Sequence, residues 1–181
     1  MHPLPLLRLL VLLALASLAT ACGTLPSRGP AEAPLTFIVV RHAEKATDDP
    51  QDPNLSTVGL ARADALAERL RNAPLVAAYA TEFRRTQQTA RPAADAHGLT
   101  IGAYFARGPA VESAAHWKQA HRRGTVLVVG HSNTVPDLVA ALCSCTTQPM
   151  DDTEYDRLSI VRVDAAGRAT LEVQRYGGTS P

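Results

Sequence analysis

The chain has 181 residues, with 18 Lys and Arg against 17 Asp and Glu and a formal net charge of +1. This balance excludes the basic surface that binding to nucleic-acid phosphates requires. The length is that of one ordinary domain with room for a real core.

Residues 1–21 read as a secretory signal. A short n-region carries His2 and Arg8, a leucine-rich stretch runs from Leu9 to Leu18, and Ala19-Thr20-Ala21-Cys22 follows. The apolar stretch is too short to span a bilayer comfortably. Its end has two readings: Ala19-Thr20-Ala21 is a small-x-small cleavage site, and small residues before Cys22 resemble a bacterial lipobox. The lipobox is favoured, although Ala19 stands where a leucine is more usual. Acyl chains on Cys22 would then tether the protein to a membrane, giving an exported protein of the cell envelope or periplasm. Residues 22–34 are expected to be a flexible linker, because 23–34 hold three prolines, two glycines and no hydrophobic period. Residues 35–181 are expected to form the folded domain. Loss of residues 1–21 removes Arg8 and no acid, leaving 17 basic and 17 acidic groups.

Leu35 to Val40 is short, β-branched and continuously apolar, as buried parallel strands are, and it delivers Arg41 and His42 at its end. After the turn formers Asp48-Asp49-Pro50 and Asp52-Pro53-Asn54, Ser56 or Thr57 can cap a helix over Val58–Arg71, with Ala61, Ala65, Leu66 and Leu70 inward. A strand over Leu75–Tyr79 leads into a helix from Phe83 to His97 that Gly98 terminates. Thr100–Tyr104 is a short third strand, and a helix follows from Pro109 through Trp117 to Arg123. Thr125–Val129 is the fourth strand and Thr134–Leu142 the next helix. Leu158–Asp164 and Ala169–Arg175 alternate in polarity and form a hairpin through residues 165–168. This alternation predicts an α/β fold: a three-layer α/β/α sandwich with a mostly parallel central sheet and an antiparallel edge hairpin.

Two strand-end histidines stand out, because the carboxyl ends of strands in an open α/β sheet face the ligand crevice. At Arg41-His42, a neutral imidazole is a good nucleophile towards phosphorus. An adjacent guanidinium holds a phosphate dianion by bidentate hydrogen bonds and opposes protonation of the ring. Taken alone, the dipeptide equally suits a histidine that merely caps a strand. Arg84 and Arg85 add two cations at a strand-to-helix junction, where free backbone N–H groups and the helix dipole favour an anion, though such arginines also occur on solvated helix faces. Gly130-His131-Ser132-Asn133 adds a second histidine, a glycine that permits close backbone approach, and an asparagine able to orient a ligand or loop.

Together and in this order the segments resemble the histidine phosphatase superfamily, the phosphoglycerate-mutase-like clan. Arg41-His42-Ala43-Glu44 fits its nucleophile motif, and Leu55-Ser56-Thr57-Val58-Gly59 with Ala61 and Ala63 looks like its helix start. Arg85-Thr86-x-x-Thr89-Ala90 fits its second-arginine motif, and Val128-Val129-Gly130-His131-Ser132-Asn133 its second-histidine motif. The resemblance spans residues 36 to about 176. It implies His42 as the phosphorylated nucleophile, with Arg41, Arg85 and His131 completing the phosphate pocket. His131 would donate a hydrogen bond to the phosphoryl oxygens as charge builds. Spacing selects Arg85 over Arg84, which is left to solvent or to a remote part of the substrate, and Asn133 is a further substrate-binding candidate. Glu112 is the nearest candidate acid for the leaving group, although the first turn of a helix is itself reason enough for a carboxylate. Glu44 is expected to partner an arginine behind the site.

The implied activity is hydrolysis of small phosphomonoesters through a phosphohistidine, with no cofactor, no metal and no nucleic-acid partner. The alternatives are a phosphoglycerate mutase-like phosphotransferase, which needs an enclosure that a chain without a large insertion does not supply, and a catalytically silent anion-binding lipoprotein. His116, Trp117 and His121 read as packing residues. The acidic run from Asp151 to Asp156 lacks the alternation and glycine of a calcium loop and reads as a solvated loop. Cys143 and Cys145 read as a loop disulfide or inert thiols rather than zinc ligands.

Overall fold

In the computed structural model, which describes residues 34–180, every apolar run read above as a strand joins a single sheet. The elements in chain order are β1 (Leu35–Arg41), α1 (Thr57–Leu70), β2 (Leu75–Thr81), α2 (Arg84–Ala96), β3 (Ile101–Tyr104), α3 (Ala110–Ala120), β4 (Gly124–Gly130), α4 (Val135–Cys143), β5 (Arg157–Val163) and β6 (Ala169–Arg175). The strand order is β3-β2-β4-β1-β5-β6. Strands β3, β2, β4 and β1 are parallel, while β5 is antiparallel to β1 and β6 to β5. The fold is therefore the expected mostly parallel α/β sheet with an antiparallel edge hairpin. The signal-like segment, the linker and Cys22 lie outside the described residues.

Strand alternation sorts the core into two halves. Ile38, Val40, Ala78, Ala80, Leu127 and Val129 pack with Leu66 and Leu70 of α1 and Ala90, Ala93 and Ala94 of α2. On the opposite face Phe37, Val39, Val126 and Val128 meet Trp117 of α3 and Leu138, Val139 and Leu142 of α4. Burial of β1 and β4 on both faces explains why their sequences are continuously apolar rather than alternating. The chain runs from β1 across to β2, outward to β3, and back to β4 between β2 and β1. The strand order thus reverses beside β1 and β4, where open sheets leave a crevice at the carboxyl ends.

Two details set the site. Strands β1 and β4 each extend one residue beyond the expected ends, pairing Arg41 with Gly130, so His42 and His131 follow register-matched positions on neighbouring strands. Ser56 caps α1 by accepting from the Gly59 N–H at 3.1 Å, and Gly59 lies so close to the Glu44 carbonyl that a Cβ there would sit 2.2 Å from it. Only glycine lets α1 dock on the loop that leaves His42. Helix α3 ends at Ala120, earlier than the expected Arg123. His121 there leaves the helix and its Nε2 meets the Tyr79 hydroxyl at 2.9 Å.

Candidate active site

A cavity of about 370 Å³ opens at the carboxyl ends of β1 and β4, with Arg41, His42, Phe83, Arg85, His131 and Tyr155 among its walls. His42 is buried, and its own backbone N–H donates to Gly130 O at 2.9 Å, tying the two strand ends together. Its Nδ1 lies 2.8 Å from Ala43 O. A carbonyl only accepts, so Nδ1 carries the proton and the Nε2 lone pair is left for the cavity. The ring is kept neutral: its pKa is lowered to about 3, chiefly by burial and further by His131, Arg41 and Arg85, against the Ala43 hydrogen bond. The Ala43 N–H in turn donates to Thr89 Oγ1 at 2.9 Å, so α2 holds the residue that orients the nucleophilic ring.

Arg41 is buried as well. Its Nη1 donates to the carbonyls of Asp151, Asp152 and Glu154 at 3.1, 2.8 and 3.3 Å, and its guanidinium stacks 4.1 Å over the Tyr155 ring. Arg85 lies 4.3 Å over the Phe83 ring and reaches Asp52 only at 3.6 Å, beyond hydrogen-bond range. Nε of Arg41, and Nε and Nη1 of Arg85, are buried without a hydrogen-bond partner among the described residues. Buried N–H donors on charged groups are costly to leave unmet, and a tetrahedral oxyanion would satisfy several at once.

His131 enters from β4, its ring centroid 5.3 Å from that of His42. Its Nε2 is 3.0 Å from the buried Thr81 hydroxyl, and its backbone N–H donates to Thr134 Oγ1 at 3.0 Å. Its pKa is lowered to about 4, first by burial and then by Arg85, with Glu82 opposing. Gly130 is packed against Thr134 Oγ1 and the Tyr104 hydroxyl, each 3.0 Å from where a Cβ would be.

A family model described as the histidine phosphatase superfamily (branch 1) matches residues 37–104, the stretch from β1 through β3 that carries Arg41, His42 and Arg85. That stretch, rather than the whole chain, is similar to the histidine phosphatase superfamily. The second-histidine segment lies beyond the matched stretch, and its place rests on the geometry just described. Solved structures share this histidine phosphatase fold. The protein histidine phosphatase SixA complexed with tungstate is 23% identical, with a TM-score of 0.61 over 78% of this chain and 96% of that one. Bacillus stearothermophilus YhfR is 19% identical, with a TM-score of 0.63 over 77% and 96%. A mycobacterial glucosyl-3-phosphoglycerate phosphatase is 16% identical, with a TM-score of 0.56 over 78% and 99%. No curated protein matches the chain by sequence.

In this domain His42, Arg41, Arg85 and His131 converge, and Asn133 lines the same cavity. Arg84 does not join them. It pairs with Asp49 at 2.6 Å and Asp52 at 3.2 Å, and its N–H donates to Asp52 Oδ1 at 2.9 Å. The first turn of α2 is thus capped by an acid of the chain rather than left for an anion. Glu112 is exposed in the first turn of α3 and is not among the lining residues, and the helix dipole is sufficient reason for a carboxylate there. Glu44 does partner an arginine, Arg62. Arg62 Nη2 meets Glu44 Oε1 at 2.7 Å, while its Nη1 donates to the carbonyls of Tyr176 and Gly178.

Sequence reasoning missed the 151–155 loop, which supplies three carbonyls to Arg41 and a ring above it. Carbonyls are common to all residues, so no side-chain pattern announces them. Cys143 and Cys145 form a disulfide. Among the described residues no group of three or more His, Cys, Asp or Glu side chains is arranged to hold a metal.

Proposed function

We propose that the protein hydrolyses small phosphomonoesters through a phosphohistidine on His42. The observation that carries this reading is the fixed orientation of His42: Nδ1–H on Ala43 O leaves a neutral Nε2 lone pair at a cavity flanked by two buried arginines. Nε2 attacks phosphorus as the ester P–O bond breaks and the leaving oxygen departs with its electron pair. Water then attacks the phosphohistidine, releasing phosphate and restoring the neutral ring. The unmet N–H groups of Arg41 and Arg85 take the phosphoryl oxygens, and aim their charge at the transition state. Tungstate bound to the SixA neighbour supports a tetrahedral oxyanion as the natural occupant. Lys45 and Arg107 also line the cavity and have no ion-pair partner among the described residues, which favours substrates bearing further negative charge. Hydrolysis is preferred to phosphoryl transfer between two positions of one substrate, because the longer connections beside the cavity, residues 42–56 and 144–156, carry no inserted helix or strand to enclose it.

The test is hydrolysis of an aryl phosphate by the full chain and by His42→Ala, with acid-stable and acid-labile phosphoenzyme assayed after a quench. The reading requires turnover that chelator leaves intact and vanadate blocks, and an acid-labile phosphoenzyme that the variant cannot form. Turnover surviving in His42→Ala would sink it.

For location, we infer an exported, envelope-associated enzyme anchored through lipid on Cys22. The leader-like composition of residues 1–21 supports this, as does the Cys143–Cys145 disulfide, since disulfides persist in oxidising compartments. Metabolic labelling with a palmitate analogue should mark the wild type and not Cys22→Ala. A wild type that takes no label and fractionates with soluble proteins would overturn the anchor.

A further inference from the structure

Thr81 and Thr86 are both fully buried, and the mechanism above uses neither. Thr86 Oγ1 lies 2.8 Å from Phe83 O and 3.1 Å from Thr81 O. It is also 2.8 Å from Thr81 Oγ1, which is 3.0 Å from His131 Nε2. Protons can be assigned along this chain because it ends on carbonyls, which only accept. Were Thr86 to give its proton to Thr81, its oxygen would face two carbonyl oxygens at those distances with no proton between them. Thr86 therefore donates to a carbonyl and accepts from Thr81. Thr81, its single proton committed, accepts from His131, so Nε2 is the protonated nitrogen. Nδ1 is left with a lone pair and no hydrogen-bond partner among the described residues, on a ring that lines the cavity.

We propose that Thr81 and Thr86 are positioning residues that hold His131 as its Nε2–H tautomer, presenting Nδ1 to the phosphoryl group as a base that takes up one proton with the substrate. The proposal rests on the phosphatase reading for the seat of the phosphoryl group. It changes the role expected of His131: a neutral ring in this tautomer cannot donate from Nδ1, and its lone pair would repel a phosphoryl oxygen. A proton from solvent, or from a monoanionic ester, adds to Nδ1, and the new N–H then donates to the oxygen. Nε2–H stays on Thr81, so the threonine chain serves both charge states unaltered. The groups that face His131 explain the coupling. Arg41 and His42 on the β1 side and Arg85 on α2 oppose a charged ring, and Glu82 before α2 favours it. A bound dianion offsets the arginines and tips the balance.

Tungstate, a tetrahedral dianion at neutral pH, is the probe. Nitrogen-15 NMR of the labelled full chain should show free His131 as the Nε2–H tautomer, and saturating tungstate should make it doubly protonated. Calorimetry in buffers of different ionisation enthalpy should count about one proton taken up per tungstate. Thr81→Val should scramble the tautomer, abolish the uptake and weaken tungstate binding by roughly tenfold, the loss of one charge-assisted hydrogen bond. Thr81→Ser should restore all three. A free His131 protonated on Nδ1, or proton uptake unchanged in Thr81→Val, would overturn the proposal. If Thr81→Val does not fold, the wild-type tautomer decides alone. None of these readouts needs turnover: a chain that hydrolyses nothing yet shows the tautomer would fail the phosphatase reading only. One that turns over with the opposite tautomer would fail this proposal only.

Discussion

His42 and His131 follow paired positions on adjacent strands, yet one ring is held by main chain and the other by side chains. Ala43 O fixes His42 at 2.8 Å, and no substitution at residue 43 short of a backbone change removes that carbonyl. His131 leans instead on the Thr81 hydroxyl, which a single mutation deletes. The nucleophile's tautomer is thereby insulated from sequence change, while its neighbour's is open to adjustment. The same division extends outward, since the loop after His42 is tied by Thr89 to α2 and by Glu44 to the buried Arg62.

The comparison breaks most sharply if the two rings prove interchangeable. His42→Ala should lower kcat by on the order of 10⁴-fold or more, as removal of a nucleophile does, and His131→Asn by about 10²- to 10³-fold, as removal of a transition-state donor does. Equal losses in steady-state assays would show that His131 shares the covalent step. Arg85→Ala should also cost about 10²- to 10³-fold in kcat/KM, because two of its N–H donors have no partner but the ligand.

Next in size is the frame behind His42. Arg62 is almost wholly buried, binds Glu44 through both carboxylate oxygens, and bonds two carbonyls of the C-terminal segment. Burial raises the Glu44 pKa, but the guanidinium overrides it and holds the group below the usual carboxylate range. Arg62→Ala would strand that carboxylate and should cost about 3 kcal/mol in urea unfolding, the lower end for breaking a buried pair. A variant as stable as the wild type would show that His42's loop does not depend on this tie.

Smaller still is the pH effect. Both rings are neutral in the folded state, with pKa values of about 3 for His42 and about 4 for His131, whereas an unfolded histidine protonates near 6.5. Below that pH the unfolded chain binds protons that the folded chain refuses. Stability from these rings is thus complete above pH 6.5 and declines as pH falls towards 4, by up to about 1.4 kcal/mol per pH unit for each ring. Urea midpoints measured from pH 7 to pH 5 should fall, and His131→Asn should flatten the slope. Phosphoenzyme formation should persist at pH 5, since His42 remains neutral there; its loss through pH 6.5 would mean the ring is not held as described.

Much of this was legible in the sequence because the deciding features are local. Continuous β-branched runs announced strands buried on both faces, and the pair Ser56-Thr57 announced the start of α1 without deciding which of them caps it. The four pocket residues were visible at two strand ends and one helix start. What stayed hidden depends on contacts between distant segments: three carbonyls of the 151–155 loop on Arg41, the identity of the arginine that pairs with Glu44, and the capture of Arg84 by Asp49 and Asp52. Arg84 and Arg85 are neighbours of identical chemistry, and only the winding of α2, which points them about 100° apart, sends one into the cavity and the other to the loop.

The smallest expected effect is at Glu112. A first-turn carboxylate on α3 is accounted for by the helix dipole, worth about 0.3–1 kcal/mol at an exposed site. The side chain is exposed and is not one of the cavity walls. Glu112→Gln should leave kcat for an aryl phosphate within about twofold, well under the 10²-fold or more that loss of a general acid brings. An alkyl phosphate sharpens the test, because its poor leaving group depends on a proton where a phenolate does not. If Glu112→Gln slows only the alkyl ester, α3 must move during turnover to bring the carboxylate in. If both esters are untouched, Glu112 supplies no proton to the leaving group, and the His131 ring, 5.3 Å from that of His42, is the next group to test.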